Sequence, residues 1–415
     1  MQQVRRIRFI VISFCLGMVL MHIAVFWLAR RAVAEGLPDF RIFYTAGLMV
    51  RHGQGHSLYS DELQLNTQRE FAKLPAGQMA LLPYNHPPFE AVLYVPLTYL
   101  PYLRAYFLWF AVNLSLLALG IHVIRPWLGT IRSQLPAVLL LAPLAYYPVA
   151  NALVQGQDSI LLMFIYFLTY AALRREKELQ AGIILGLGLF KFHLVLPFAF
   201  ILLLRRRWRV FGGFLVSAGA EFAVSWALVG WKQLVFYPRY IWQIDRTLYT
   251  GVIIPEGMPN LRGLIMGWHE PAVLHFWLQL IVILASAVLV IWGVRQWRTG
   301  ELFDSDHWNT GFSIAMLVTF LVCYHGYAQD MSILLLPLLL IADRMLRQET
   351  AVELKISLFL MFLTPLYLLL ILHHRRQNLF ALVLLYLAGC LAASATKAPP
   401  TSANRSTAQS SVPLA

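Results

Sequence analysis

The chain has 415 residues, 59% hydrophobic and 13% charged, with a mean hydropathy of +0.64, which excludes a soluble domain with a polar surface. Its net charge of +13 would suit nucleic acid, but the basic residues cluster at the ends of apolar segments and read as membrane-topology signals. Cys15, Cys323 and Cys390 lie in or beside apolar runs without paired or metal-ligand spacing, so neither a disulfide nor a metal site is expected.

In chain order, Phe9 to Ala29 lacks Asp, Glu, Lys and Arg and follows Arg5, Arg6 and Arg8. That pattern predicts a first span with a cytoplasmic N-terminus. Arg30 and Arg31, rather than a small-residue cleavage site, come next, which argues against a removable signal peptide. Ala34 to Pro88 should then lie outside the cytoplasm. It contains "PDFRIFYTAG", where Phe40, Phe43, Tyr44 and Leu48 recur at helical spacing, as in an interfacial helix with its aromatic face among the headgroups. Asp39 would start that helix, where an N-cap is the plainest role for it. Gly53 and Gly55 would end it.

Phe89 to Leu100 is too short to cross, Pro101 interrupts, and Leu103 to Ile124 completes the return to Arg125. Pro136 to Ala150 goes out and Ile160 to Leu173 comes back, with "NALVQGQDS" between them on the outer side. "AGIILGLGLFKFHLVLPFAFILLL" is bounded by Arg174, Arg175 and Lys177 on one side and by Arg205 to Arg209 on the other. Two cytoplasmic flanks predict a hairpin turning near Lys191-Phe192-His193, with Gly182, Gly186 and Gly188 giving a smooth face for close packing. Val210 to Val229 crosses outward, Trp231 to Pro271 forms a second outer loop, and Ala272 to Trp292 returns. Thr310 to Val322 and Ile333 to Ile341 flank the outer "CYHGYAQD". Two last spans lie near Ile356 to Leu372 and Leu379 to Ala393, although "HHRRQN" between them runs against the charge rule. The expected fold is an all-α integral membrane bundle of about twelve helices over residues 1–393, with a disordered cytoplasmic tail over 394–415.

This topology gathers Asp39, His86, Gln157, Asp158, Lys191, His193, Asn260, Arg262, His325 and Asp330 on the outer side. A carboxylate there can take a proton from a hydroxyl nucleophile, and Lys191 or Arg262 can neutralise a phosphate leaving group. Phosphate leaves without a proton, so one base suffices where a glycosidase needs two carboxyl groups. Lys191 could equally pair with Asp158 or another carboxylate, and Asp330 with Arg262. Glu221, a carboxylate within a span, is the feature a transporter or lipid flippase would want; a protonated, hydrogen-bonded Glu is the plainer account.

"PDFRIFYTAG", "GHSLY", "YNHPPFEAVLYVPLTYLP", "GQDSILL", "AGIILGLGLFKFHLVLPF", "NLRGL" and "HGYAQDMSILLLPL" resemble, in this order, the motifs of glycosyltransferase family 87, enzymes of the GT-C fold similar to polyprenyl-phosphate-mannose-dependent mannosyltransferases. The resemblance implies a multi-pass, inverting transferase of the bacterial cell membrane with its site on the extracytoplasmic face. It would take a hexose, mannose by analogy, from a polyprenyl-phosphate donor and pass it to a lipid or glycan acceptor. Its catalytic carboxylate falls on Asp39 and its late outer histidine on His325. Lys191 and Arg262 would hold the donor phosphate, and Gln157, His86, Asn260, Asp330 and Tyr44 the sugar or the acceptor. Membrane lipids are the remaining partners expected, without nucleic acid, metal or cofactor. "CYHGYAQD" departs from the Ser-Pro pair that many relatives have before this histidine. A noncatalytic assembly partner on the same fold is a third reading, and it would tolerate loss of Asp39.

Overall fold

A computed structural model describes residues 2–73, 81–246, 254–268, 274–297, 305–373 and 376–396. Among them every regular element is a helix. The chain opens with α1 (Gln2–Ala34), α2 (Phe40–Arg51) and α3 (Asp61–Phe71), and short turns lead through α4 (Ala91–Tyr94) to α5 (Tyr102–Ile124). Next come α6 (Gly129–Gln134), α7 (Pro136–Ala145), α8 (Tyr147–Gln155), α9 (Ser159–Arg174), α10 (Glu178–Gly186), α11 (Phe192–Leu204) and α12 (Trp208–Arg246). The remainder is α13 (Leu261–Met266), α14 (His275–Gln296), α15 (Ser305–Val322), α16 (Leu335–Arg347), α17 (Val352–Phe362), α18 (Thr364–Leu372) and α19 (Phe380–Thr396).

Five helices are long and apolar enough to span a bilayer: Arg8–Ala34, Tyr102–Trp127, Trp208–Asp245, His275–Gln296 and Gln377–Ser394. The pairs α7–α8, α10–α11 and α17–α18, bent by 55°, 61° and 62°, raise the count to eight if each is one span. The expected twelve are therefore not found among the described residues. One reason is the segment around Lys191. The charge pattern predicted a hairpin there, and the chain does return: it breaks at Leu187-Gly188, ahead of Lys191, and Arg207 just past α11 pairs with Glu178 at the start of α10 at 2.7 Å, but α10 is too short for the pair to count as two full crossings. The crossing expected to end at Val229 does break there: Gly230, at φ 75°, is non-helical and divides α12 into two helical stretches, the second of which runs to Arg246 and makes the start of the second outer segment helical. Residues 247–253, 269–273 and 374–375, and the tail from 397 onward, lie outside the described residues.

The helix directions give the bundle two unlike ends. α9, α11 and α16 start beside Ser159, Lys191 and Asp330, which touch one another, and finish at Arg174, Arg205 and Arg347. α15 runs the other way, from Trp308 to His325. At the basic end Arg174 lies over Trp308 at 5.0 Å, Arg205 over Trp297 at 4.7 Å and Arg175 over Trp127 at 5.5 Å, a stacking of guanidinium on ring that suits a boundary between apolar and wet surroundings.

An apolar cluster built on α2 sits at the polar end. Phe40 to Met49 are all buried, and Phe40 meets the rings of Tyr94, Tyr102 and Tyr106 at 5.7 to 6.5 Å. The aromatic stripe of α2 thus faces protein, not headgroups. Periodicity identified the apolar face; what covers it comes from α4 and α5, far along the chain.

Candidate active site

The site grows from tight local geometry at Gly156. This residue closes α8 in the left-handed region at φ 63°, and its N–H and that of Gln157 return to the carbonyls of Leu153 and Ala152. A Cβ at Gly156 would lie 2.7 Å from the Cβ of Phe40. Only glycine tolerates both constraints, and the close approach brings Gln157 against the start of α2. Gln157 Nε2 donates to Asp39 Oδ2 at 2.7 Å, and the Asp39 N–H donates to Gln155 Oε1 at 3.4 Å. Asp39 makes no side-chain cap to α2. Its half-buried carboxylate opens onto a pocket instead, so the capping role that the sequence favoured is not the one observed.

Behind Gln157 sits Lys191. Its Nζ lies 3.2 Å from Gln157 Oε1, 2.7 Å from Ser159 Oγ, 2.8 Å from Asp158 Oδ1 and 2.5 Å from Asp330 Oδ1. Its three N–H donors go to Gln157, Ser159 and Asp330, with Asp158 as an ion-pair partner, so this buried ammonium is fully engaged. It orients Gln157, so that the amide N–H₂ end faces Asp39. Asp330 also accepts from Ser159 Oγ at 2.8 Å and from the Tyr327 N–H at 2.9 Å. Burial alone would raise the pKa of Asp330, but the Lys191 charge outweighs it and holds the carboxyl well below the usual range. Asp39 is the opposite case. Burial pushes its pKa up, with the Gln157 hydrogen bond and the charges of Lys191 and Arg41 opposing.

On one wall stands His86, whose carbonyl accepts from Tyr59 Oη at 2.9 Å before the Pro87-Pro88 turn. Its Nδ1 lies 2.8 Å from Glu90 Oε2 and 3.7 Å from Asp158 Oδ2. On the other wall the His325 ring meets Tyr327 at 4.8 Å and His193 at 5.5 Å, both edge to face. Burial lowers the pKa values of His86 and of His325 to about 4, so both are neutral at physiological pH. Three helices, α2, α9 and α11, begin at this pocket with Asp39, Asp158 and Lys191 at their caps. Their N-terminal partial charges make the surroundings favourable for anions.

Asp39, His86, Gln157, Lys191, His193, His325 and Asp330 therefore line one pocket together with Tyr324 and Tyr327. Three assigned residues do not line it. Arg262 is tied to Asp245 at 2.6 Å and lies over the Tyr324 ring at 4.2 Å, so the expected pairing of Arg262 with Asp330 is replaced by Arg262–Asp245 and Lys191–Asp330. Asn260 caps α13, accepting from the Gly263 N–H at 2.9 Å and donating to the Cys323 carbonyl at 2.9 Å. Tyr44 donates to the Leu100 carbonyl at 2.7 Å and packs against Phe71 and Tyr102. The sequence reading passed over Glu90 and Ser159. A carboxylate inside the apolar "PPFEAVLY", four residues after a histidine, was the available signal for Glu90.

Chemically, the pocket presents one carboxylate that is reachable, raised in basicity and oriented by an amide. Neutral imidazoles and tyrosine rings surround it. That arrangement suits proton removal from a hydroxyl. A family model described as Glycosyltransferase family 87 matches residues 84–323. No curated protein and no solved structure matches the chain.

Proposed function

The chain belongs to glycosyltransferase family 87, and from that premise we propose that this membrane glycosyltransferase moves a hexose, mannose by family analogy, from a polyprenyl-phosphate donor to a lipid or glycan acceptor on the extracytoplasmic side. Asp39 takes the proton of the acceptor hydroxyl as its oxygen forms a bond to the anomeric carbon. The bond from that carbon to the phosphate oxygen breaks in the same step, with inversion, and the lipid phosphate departs with the electron pair. Gln157, held by Lys191, keeps the Asp39 carboxylate in register. The helix N-termini at the pocket favour the departing phosphate, a role that Lys191 fills only indirectly because its donors are occupied. Neutral His325 is placed to hydrogen-bond the transferring sugar or the phosphate, with His86 and Asp330 shaping the pocket, and the exposed Tyr324 ring offers a stacking face.

The observation that carries this reading is the Asp39–Gln157 bond at the pocket wall. The experiment is transfer from a panel of radiolabelled polyprenyl-phosphate-hexoses, with a lipid and glycan extract as acceptor, by purified wild type and Asp39→Asn in nanodiscs. Wild type should transfer, and the variant should lose about 10²-fold or more while eluting as a folded protein. Equal rates would remove Asp39 as base. The transporter or flippase reading rests on Glu221, half-buried in α12 with Oε2 lacking a hydrogen bond. It requires donor-independent movement of a lipid-linked sugar across the bilayer.

A further inference from the structure

Behind the pocket wall, three buried carboxylates share one ammonium. Glu90 and Asp158 have no exposed surface and Asp330 has 3%, while Lys191 is the cation among them. With all three ionised, two negative charges remain uncompensated in a low-dielectric setting, which is costly. Both Glu90 oxygens and both Asp158 oxygens accept no hydrogen bond of sound geometry. Lys191 stands against Asp158 Oδ1 at 2.8 Å, leaving Oδ2 on the side of His86, whose Nδ1 is 3.7 Å from it and 2.8 Å from Glu90 Oε2. One ligand atom from each of His86, Glu90 and Asp158 falls within 4.8 Å of the others.

We propose that His86 Nδ1, Glu90 and Asp158 hold one hard divalent cation of the magnesium or manganese class. Two carboxylate oxygens and an imidazole nitrogen are the donor set such ions accept, with the remaining positions left to water or substrate oxygen. Its charge matches the two uncompensated negatives. The proposal departs from the sequence expectation that no metal is bound, which rested on cysteine spacing. The two carboxylates cluster only in the fold. The cation lies along the wall that His86 presents to the pocket and supplies positive charge that Lys191, already shared, cannot.

The test is Mn²⁺ binding to chelator-stripped, full-length protein in nanodiscs, with free ion read by electron paramagnetic resonance. Wild type should take up one Mn²⁺ per chain, more tightly as pH rises because the carboxyls must deprotonate to bind. Glu90→Gln and His86→Ala should weaken binding about tenfold or more, while Glu221→Gln should bind as wild type does. Histidine nitrogen coupling to the bound Mn²⁺ in the unaltered protein tests the site even if a variant misfolds. No uptake, equal uptake by wild type and Glu90→Gln, or absence of that coupling overturns the proposal and leaves Glu90 and Asp158 sharing a proton. Because binding is read directly, these outcomes stand apart from success or failure of the transfer assay.

Discussion

Asp39 serves as a base only when ionised. Burial raises its pKa against the pull of the Gln157 hydrogen bond and Lys191, so transfer should fall off on the acid side at a higher pH than an unperturbed aspartate would give. Gln157→Leu deletes a bond to the charged form and should move that limb to still higher pH. A pH profile of kcat/KM for the two proteins measures the shift, and superimposable acid limbs would remove Gln157 from the tuning of the base. Asp330 obeys the opposite sign: burial would raise its pKa, but Lys191 depresses it below the unfolded value. Its contribution to stability is therefore complete above the unfolded carboxylate pKa of about 3.9 and disappears only as the pH falls through the lower folded value. Asp330→Asn leaves Lys191 compensated by Asp158 but weakens the charged hydrogen bonds that Asp330 accepts, and should cost about 1–3 kcal/mol of stability. Tm in detergent reads this, and an unchanged Tm would mean that the pair does not hold the fold together.

Helix α10 crosses α12 so closely that backbone meets backbone. A Cβ on Gly182 would lie 1.9 Å from the Val210 carbonyl oxygen, and one on Gly213 would lie 2.2 Å from that of Leu179. Gly182→Val must therefore push the helices apart, for about 1–3 kcal/mol or more, whereas Gly212, with nothing within 4 Å of its Cβ position, should accept alanine without a fall in Tm. Equal midpoints for the two variants would contradict the packing. Because α10 leads to Lys191, Gly182→Val should also slow transfer. The glycine face of this helix was legible in the sequence, since small residues at helical spacing in an apolar segment have one common use. The return after it was legible too: charge counting expected a reversal, and Arg207 past α11 does meet Glu178 at the start of α10. What flanking arginines do not report is how deep such a pair goes, and α10 is too short for a full crossing of its own.

The pocket assembles residues from six parts of the chain, and those legible in advance were polar groups interrupting apolar runs: Asp39, His86, Gln157, Lys191, His325 and Asp330. Arg262, Asn260 and Tyr44 look the same in the sequence but are absorbed by Asp245, a helix cap and a carbonyl, partners that only the fold reveals. Glu221 lies outside the pocket lining, so Glu221→Gln should leave sugar transfer unchanged; abolished transfer in a folded variant would bring the transporter reading forward. The spacing of the lysine's counter-ions has a meaning for how the protein is made. A ribosome delivers Asp158 before Lys191, and Asp330 comes 139 residues after the lysine. One counter-charge of Lys191 is thus already made when the lysine is, and the other is not. The full network behind Asp39 therefore closes only when the chain beyond residue 330 has been made, so a carboxylate delivered early depends on one delivered late.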